Sequence, residues 1–513
     1  MKRMKKIVGY IMVFSLLCTT GCEDFLEREP VSITYPNVYW VNQSNADQAL
    51  AGAYGLFKYA ISGQANFIYW GEITGMTFMR SRNWICNYIQ NSGNYVLAYR
   101  DGSRNWKDLY RAANWANTIE LYVNDMPDEV FSSVEDKNRI IGEAAFIRAI
   151  SYFYLTRLWG DVPIVEESIE TSDQLITEDG YIVRIPRSSE KEVLDYTLEA
   201  VDKAISLLDY STPEDSKWAI TANKASAEAL KAHVTLWYAS RDNDNNEMMQ
   251  KCINAATSVI NNSNAELIDY VVEGADGVED MCKGQSKTGL FEINFNAGMN
   301  ESFRMSSGDD RHMGLTQNYP VFKNYNGSGP LIDPEYYGKE FMTADPDRDN
   351  DVRKEHFFYL YDNPDDSFIS KYQYQSADPN SEDPYAQFTE SNILIFRLAD
   401  MYLLRAEANA KLGNDGPAVA DMNIIRSKAS VPAYTGATDR ASLMKAIFDE
   451  RAIEFVGEAQ GGFDRIRMDY YYEGVPWMNQ NRISKKGYFW PIHPSVISVN
   501  PSIVQTEYWR GKL

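Results

Sequence analysis

Four glutamates, four histidines and one acidic loop are the groups in this chain whose types could do chemistry. Glu135, Glu143, Glu450 and Glu454 lie in stretches of helical spacing, and a pair of such carboxylates could flank a glycosidic bond. Ordinary helix faces, solvated or ion-paired to Arg148 or Arg451, account for them better. His233, His312, His356 and His493 are scattered, with no zinc-ligand spacing. Asp345, Asp347, Asp349 and Asp351 imitate the first half of a calcium loop. Its sixth position needs Gly and holds Asn350, and its twelfth needs Glu and holds His356. No GxSxG, Walker loop or HExxH occurs. The chain therefore reads as a binding protein and not as an enzyme, with no cofactor and no metal.

The residues that point to binding lie in 61–103. This stretch is long, weakly periodic and rich in Gly, Asn, Tyr and Trp, and long irregular loops in helical proteins usually carry function. Trp70, Trp84, Tyr88, Tyr95 and Tyr99 can stack on sugar faces. Arg80, Arg82, Asn83 and Asn87 can reach vicinal hydroxyls. Trp84 and Tyr88, four apart, are the preferred anchors. A second candidate segment is 294–325, with Phe303, Arg304, His312, Tyr319 and Tyr325 among Gly, Ser and Asn. Such a site suits a neutral or weakly charged oligomer, bound with an affinity on the order of micromolar to millimolar.

These loops need a frame, and the frame is helical. From Asn392 to Gly413 the chain carries no Pro, and apolar residues cover most of a helical circumference. Asp400, Glu407 and Lys411 form a narrow polar strip, with Glu407 and Lys411 at i,i+4. Gly413 to Pro417 stops this helix and starts the next. Helices are also expected at 45–60, 105–124, 135–158, 188–208, 221–240, 247–261, 417–429 and 439–457. They should stack as an α-solenoid. The stretch 262–391 reads as mainly loop with a few short strands.

Composition sets further bounds. A net charge of −22 excludes a nucleic-acid partner, and 44% hydrophobic residues supply a large core. The 34 Tyr and 11 Trp are an unusual load. Lys2, Arg3, Lys5 and Lys6, then a short apolar run from Ile7 to Leu17, form a secretory signal too short to span a bilayer. Small residues lead to Cys22, the expected lipidated residue, although Thr19 stands where such signals favour Leu. Of the remaining thiols, Cys252 and Cys282 could pair in an oxidising compartment.

Five blocks taken together resemble the SusD/RagB family of outer-membrane nutrient-binding lipoproteins. They are Cys22-Glu-Asp-Phe-Leu26; Glu143 to Arg148 through Tyr152, Phe153 and Leu155 to Gly160 and Pro163; Ile395-Phe-Arg397 through Ala406-Glu-Ala; Asp449-Glu-Arg451 with Glu454 and Gly462-Phe-Asp464-Arg-Ile-Arg467; and Trp490 to Pro494. Gly462-Phe463 departs from the usual basic-aromatic pair before Asp464. The acidic loop at Asp345 resembles the family's Asp-Pro-Arg turn. The resemblance implies a mainly α fold, a tetratricopeptide-like α-solenoid with a large irregular ligand-binding subdomain. It implies a signal peptide over 1–21, a lipidated tether over 22–42 and one domain over 43–513. The helical scaffold of that domain is 43–261 and 392–513, with irregular insertions at 61–103 and 262–391. It further implies a surface-exposed protein, lipid-anchored in the outer membrane, that delivers oligosaccharides to a SusC-like TonB-dependent barrel transporter. A peptide-binding member of the same family is the alternative.

Overall fold

Polar side chains that satisfy the first free amides begin most of the long helices. Ser133 accepts from Asp136 N, Ser189 from Glu192 N, Asn223 from Ser226 N and Asp439 from Ser442 N. These caps open α3 (Val134–Trp159), α4 (Glu190–Leu207), α5 (Lys224–Arg241) and α10 (Arg440–Glu454). The other principal helices are α1 (Gln43–Ser62), α2 (Lys107–Asp125), α6 (Asn246–Asn262), α7 (Gly274–Lys283), α8 (Leu398–Leu412), α9 (Asp415–Lys428) and α11 (Gly461–Arg467). The computed structural model describes residues 36–63, 66–76, 89–90, 92–96, 101–296, 345–359, 368–372, 375–377, 387–389, 391–471, 475 and 477–512.

Successive helices from α1 to α6 pack on one another, and α6 then packs on α8, which packs on α9 and α10. The scaffold thus closes across the 262–391 stretch, and the fold is mainly helical as the periodicity predicts. Helix α3 is the most enclosed, with every residue from Ile140 to Trp159 buried except Arg148. Alanines such as Ala144, Ala229, Ala406 and Ala410 are fully covered, which lets neighbouring helices approach closely.

One expectation is corrected. Residues 393–397 are not the first turns of α8 but a strand, β2 (Ile393–Arg397), antiparallel to β1 (Gly289–Ile293), with Phe291 opposite Phe396 and Ile293 opposite Ile393. The run Ile-Leu-Ile-Phe is β-branched and aromatic, and both strands are buried throughout, so sheet pairing wins over helix continuation. Helix α8 starts at Leu398 and ends at Gly413 in the left-handed conformation, φ 77°. The described part of 262–391 also carries a ten-residue helix, α7, where loop was expected. Cys252 and Cys282 are both free and buried, so they do not pair. Among the described residues no helix is long and apolar enough to cross a membrane.

Candidate functional site

The aromatic stretch leaves the scaffold at a π-helical turn, Ile68–Ile73, and rejoins it at Ile89 and Gln90. Both feet are fastened to the C-terminal segment. Gly71 lies against Ala459 so closely that a Cβ would stand 1.9 Å from the Ala459 carbonyl oxygen. Glu72 accepts from Ala459 N at 2.7 Å, and Arg465 Nε donates to Gly75 O at 3.1 Å. On the return side Trp477 Nε1 donates to Gln90 O at 2.6 Å and Arg482 donates to Gly93 O at 2.9 Å. Gly93 holds φ +63°, a conformation that favours glycine.

The structure brings together two of the sequence-predicted site residues. Trp70 and Tyr95 are each only 3% exposed and line the same small cavity. Trp70 donates its indole N–H to Ser103 O at 3.0 Å and sets its ring edge-on to Trp159, centroids 6.1 Å apart. Tyr95 stacks on Trp490 at 4.7 Å. Their faces are taken by the core, so these two are walls of the cavity and not free platforms. Arg80, Arg82, Trp84, Asn87, Tyr88 and Tyr99 lie outside the described residues, as do Asn83, Cys22, Phe303, Arg304, His312, Tyr319 and Tyr325.

The candidate acids have other work. Glu135 is exposed, but Glu143, Glu450 and Glu454 are buried, against the expectation of solvated faces. Their partners also differ from those expected. Glu143 accepts from Arg139 at 2.7 Å and from the Tyr54 hydroxyl at 2.6 Å. Glu450 accepts from Arg348 at 2.6 Å and is paired with Arg353 at 2.8 Å. Glu454 bridges Arg353 at 2.8 Å and Arg397 at 2.7 Å and accepts from the Tyr270 hydroxyl at 2.6 Å. Burial alone would raise the Glu454 carboxyl, but Arg397 and Arg353 outweigh it and hold the group at about 2. Arg148 pairs instead with Glu120 at 2.7 Å.

The polar strip of α8 is likewise internal. Asp400 lies between His233 at 2.5 Å and Arg451 at 2.7 Å. Burial opposes its charge, yet those two neighbours keep the carboxyl well below its usual range. Burial pushes His233 down, and Asp400 opposes that shift. Glu407 accepts from Arg467 at 2.7 Å, and Arg451 and Arg467 share Asp464. In the acidic loop, Asp345 accepts from Arg426 at 3.0 Å, and Asp351 accepts from Arg353 at 2.8 Å. Its oxygens face guanidinium groups, which is the reverse of a calcium cage.

Sequence reasoning missed Arg157. This residue is 4% exposed, on the last turns of α3, and its guanidinium lies 4.1 to 4.4 Å from the ring centroids of Phe463, Phe153 and Tyr154. It lines the cavity that Trp70 and Tyr95 also line. From Ala149 to Trp159 the helix is apolar or uncharged except for Arg157, and that was the available signal.

Comparison with known proteins matches this frame. A family model described as the SusD family matches residues 367–509, and one described as starch-binding associating with outer membrane matches 24–236. A SusD-like protein P38 of Formosa agariphila is 26% identical over 98% of this chain and 99% of its own length. A SusD homolog from Bacteroides thetaiotaomicron superposes with a TM-score of 0.74 at 23% identity, covering 92% of this chain and 99% of that one. NanU of B. fragilis gives 0.72 at 21% identity, covering 93% and 99%. Matched from near its start to near its end, and sharing one architecture with these proteins, the chain belongs to the SusD/RagB family.

Proposed function

We propose that this protein is a cell-surface glycan-binding lipoprotein that captures oligosaccharides and delivers them to a SusC-like TonB-dependent transporter in the outer membrane. Family membership along the chain is the observation that carries this reading, together with a matched model whose description is starch-binding associating with outer membrane. Cys22 is the lipidated residue, after a signal peptide over 1–21. The ligand is held by the aromatic stretch, with Trp84 and Tyr88 as stacking anchors and Arg80, Arg82 and Asn87 as orienting groups. Tyr99, Arg304 and Tyr319 are the further contacts. Trp70 and Tyr95, whose faces are taken by the core, fasten that stretch to the scaffold.

The protein does this as a binder and not as an enzyme. Of the four candidate carboxylates, Glu143, Glu450 and Glu454 are buried and committed to arginines, and a general acid needs a free proton and access to the leaving group. Titration of the mature chain against a polysaccharide and peptide panel tests the reading. Oligosaccharide binding that Trp84→Ala weakens supports it, and binding of peptides alone would favour the peptide-carrying branch of the family.

A further inference from the structure

Several buried guanidinium groups in this protein are met by carboxylates. Arg348, Arg353, Arg397, Arg451 and Arg467 each pair with at least one buried acid. The reason is general, because a buried charge without a partner is costly. Arg157 is not so met, nor is Arg482, but Arg482 donates to the Gly487 and Gly93 carbonyls. Among the described residues Arg157 makes no ion pair, and its Nε has no hydrogen-bond partner. Asp464 attracts it through space, but that carboxylate is already hydrogen-bonded to Arg451 and paired with Arg467. Burial pushes the Arg157 guanidinium down to about 10, against the support of Tyr154.

A cavity of about 30 Å³ lies beside it, room for about two waters or one compact ion. Trp70, Tyr95, Trp477 and Trp490 form aromatic walls, and Arg465 adds a second guanidinium, which donates to Gly75 O and Tyr470 O, while the Thr74 hydroxyl donates to Trp70 O. Among the described residues no carboxylate lines it. A buried cation whose Nε has no hydrogen-bond partner, beside a cavity with no carboxylate among its described lining, offers what a small anion requires.

We propose that this cavity is a binding site for a compact monoanion, with Arg157 as its principal ligand. The shared chemistry has two sources. One is a free halide from the medium, and the other is the carboxylate of an acidic sugar at the end of a bound glycan. The glycan source rests on the proposed function, and the halide source does not.

Two measurements on the mature chain separate them. Crystals soaked in sodium bromide should show an anomalous peak in the cavity, in contact with the Arg157 guanidinium, and Arg157→Gln should lose it. Calorimetric titration with a uronic-acid disaccharide and its neutral counterpart reads the second source. An Arg157-dependent preference for the acidic sugar should fall at least tenfold in Arg157→Gln. A bromide peak without such a preference assigns the site to a free anion. A preference that needs Arg157 assigns it to the glycan. Should Arg157→Gln not fold, Arg157→Lys keeps the charge and should retain the anion at reduced occupancy, whereas undiminished wild-type occupancy would exclude a guanidinium ligand. Water alone in the cavity, with the same sugar preference in wild type and variant, overturns the proposal. A chain that holds bromide yet binds no sugar would sink the functional reading and leave the anion site standing.

Discussion

At the scale of single residues, the chemistry of this protein is mostly buried charge put to structural use. Glu454 shows the sign of the effect. Its folded-state carboxyl sits at about 2, below the ordinary 4.5, so its contribution is present above pH 4.5 and is lost as pH falls toward 2. Glu454→Gln leaves Arg353 and Arg397 short of a charged partner and should cost about 3–5 kcal/mol at pH 7 in denaturant unfolding, a cost that shrinks on acidification. Glu292 behaves oppositely. Burial raises it to about 7, and Asn392 and Gln285 N, both bonded to Oε2, offset this only in part while Oε1 has no hydrogen-bond partner. The folded state therefore holds a proton that the unfolded chain releases, and stability should fall as pH rises from about 4.5 to about 7. Glu292→Gln should flatten that slope, measured as the melting temperature across pH 5 to 8, and an unchanged slope would refute the assignment. Little of this was legible in the sequence. Asp400, Glu407 and Lys411 do form one strip on α8, but a strip of charges looks the same whether it meets water or arginines from distant segments.

At the scale of elements, the helices were legible because their apolar residues recur with helical period and their caps are local. The strand β2 was not, since Ile393 to Arg397 flows directly into α8 and its partner β1 lies far back in the chain. The core of α8 should be sensitive. Leu403 is fully buried against Ile425 and Phe455, so Leu403→Ala should cost about 2–5 kcal/mol by chemical denaturation. The feet of the aromatic stretch make a sharper prediction. Gly71→Ala forces a methyl into the Ala459 carbonyl, a backbone contact that no rotamer change relieves. It should lower the melting temperature and weaken glycan binding together, because the same clash shifts the seat of the loop. A variant as stable and as tight as wild type would show that the seat is not needed. The sequence marked the stretch 61–103 as special, yet could not tell which of its aromatics face the core. Trp70 and Tyr95 do, because Trp159 and Trp490 reach them from outside the stretch, and Ser103 at its end accepts from the Trp70 indole.

At the scale of the whole molecule, a helical scaffold closes across a long insertion and holds an aromatic loop by both feet. Family resemblance was legible from five short blocks spread along the chain. Three of them are now seen to supply the buried partners: Arg397 in one, Glu454, Arg451, Asp464 and Arg467 in another, and Trp490 in the last. Ligand identity was not legible, because it depends on loop residues that no helix or strand periodicity constrains. Replacing Cys22 by Ala should release the protein from the outer-membrane fraction when no partner is present to retain it, and unchanged fractionation would end the lipid-anchor reading. Capture of a glycan through Trp84 is tested by calorimetric titration of the mature chain with a panel of neutral and acidic oligosaccharides. At least one oligosaccharide should bind on the order of micromolar to millimolar, and Trp84→Ala should lose that binding while the melting temperature stays put. No binding by any oligosaccharide would contradict it, as would a Trp84→Ala that unfolds the chain together with a folded Trp84→Leu that binds sugar as tightly as wild type.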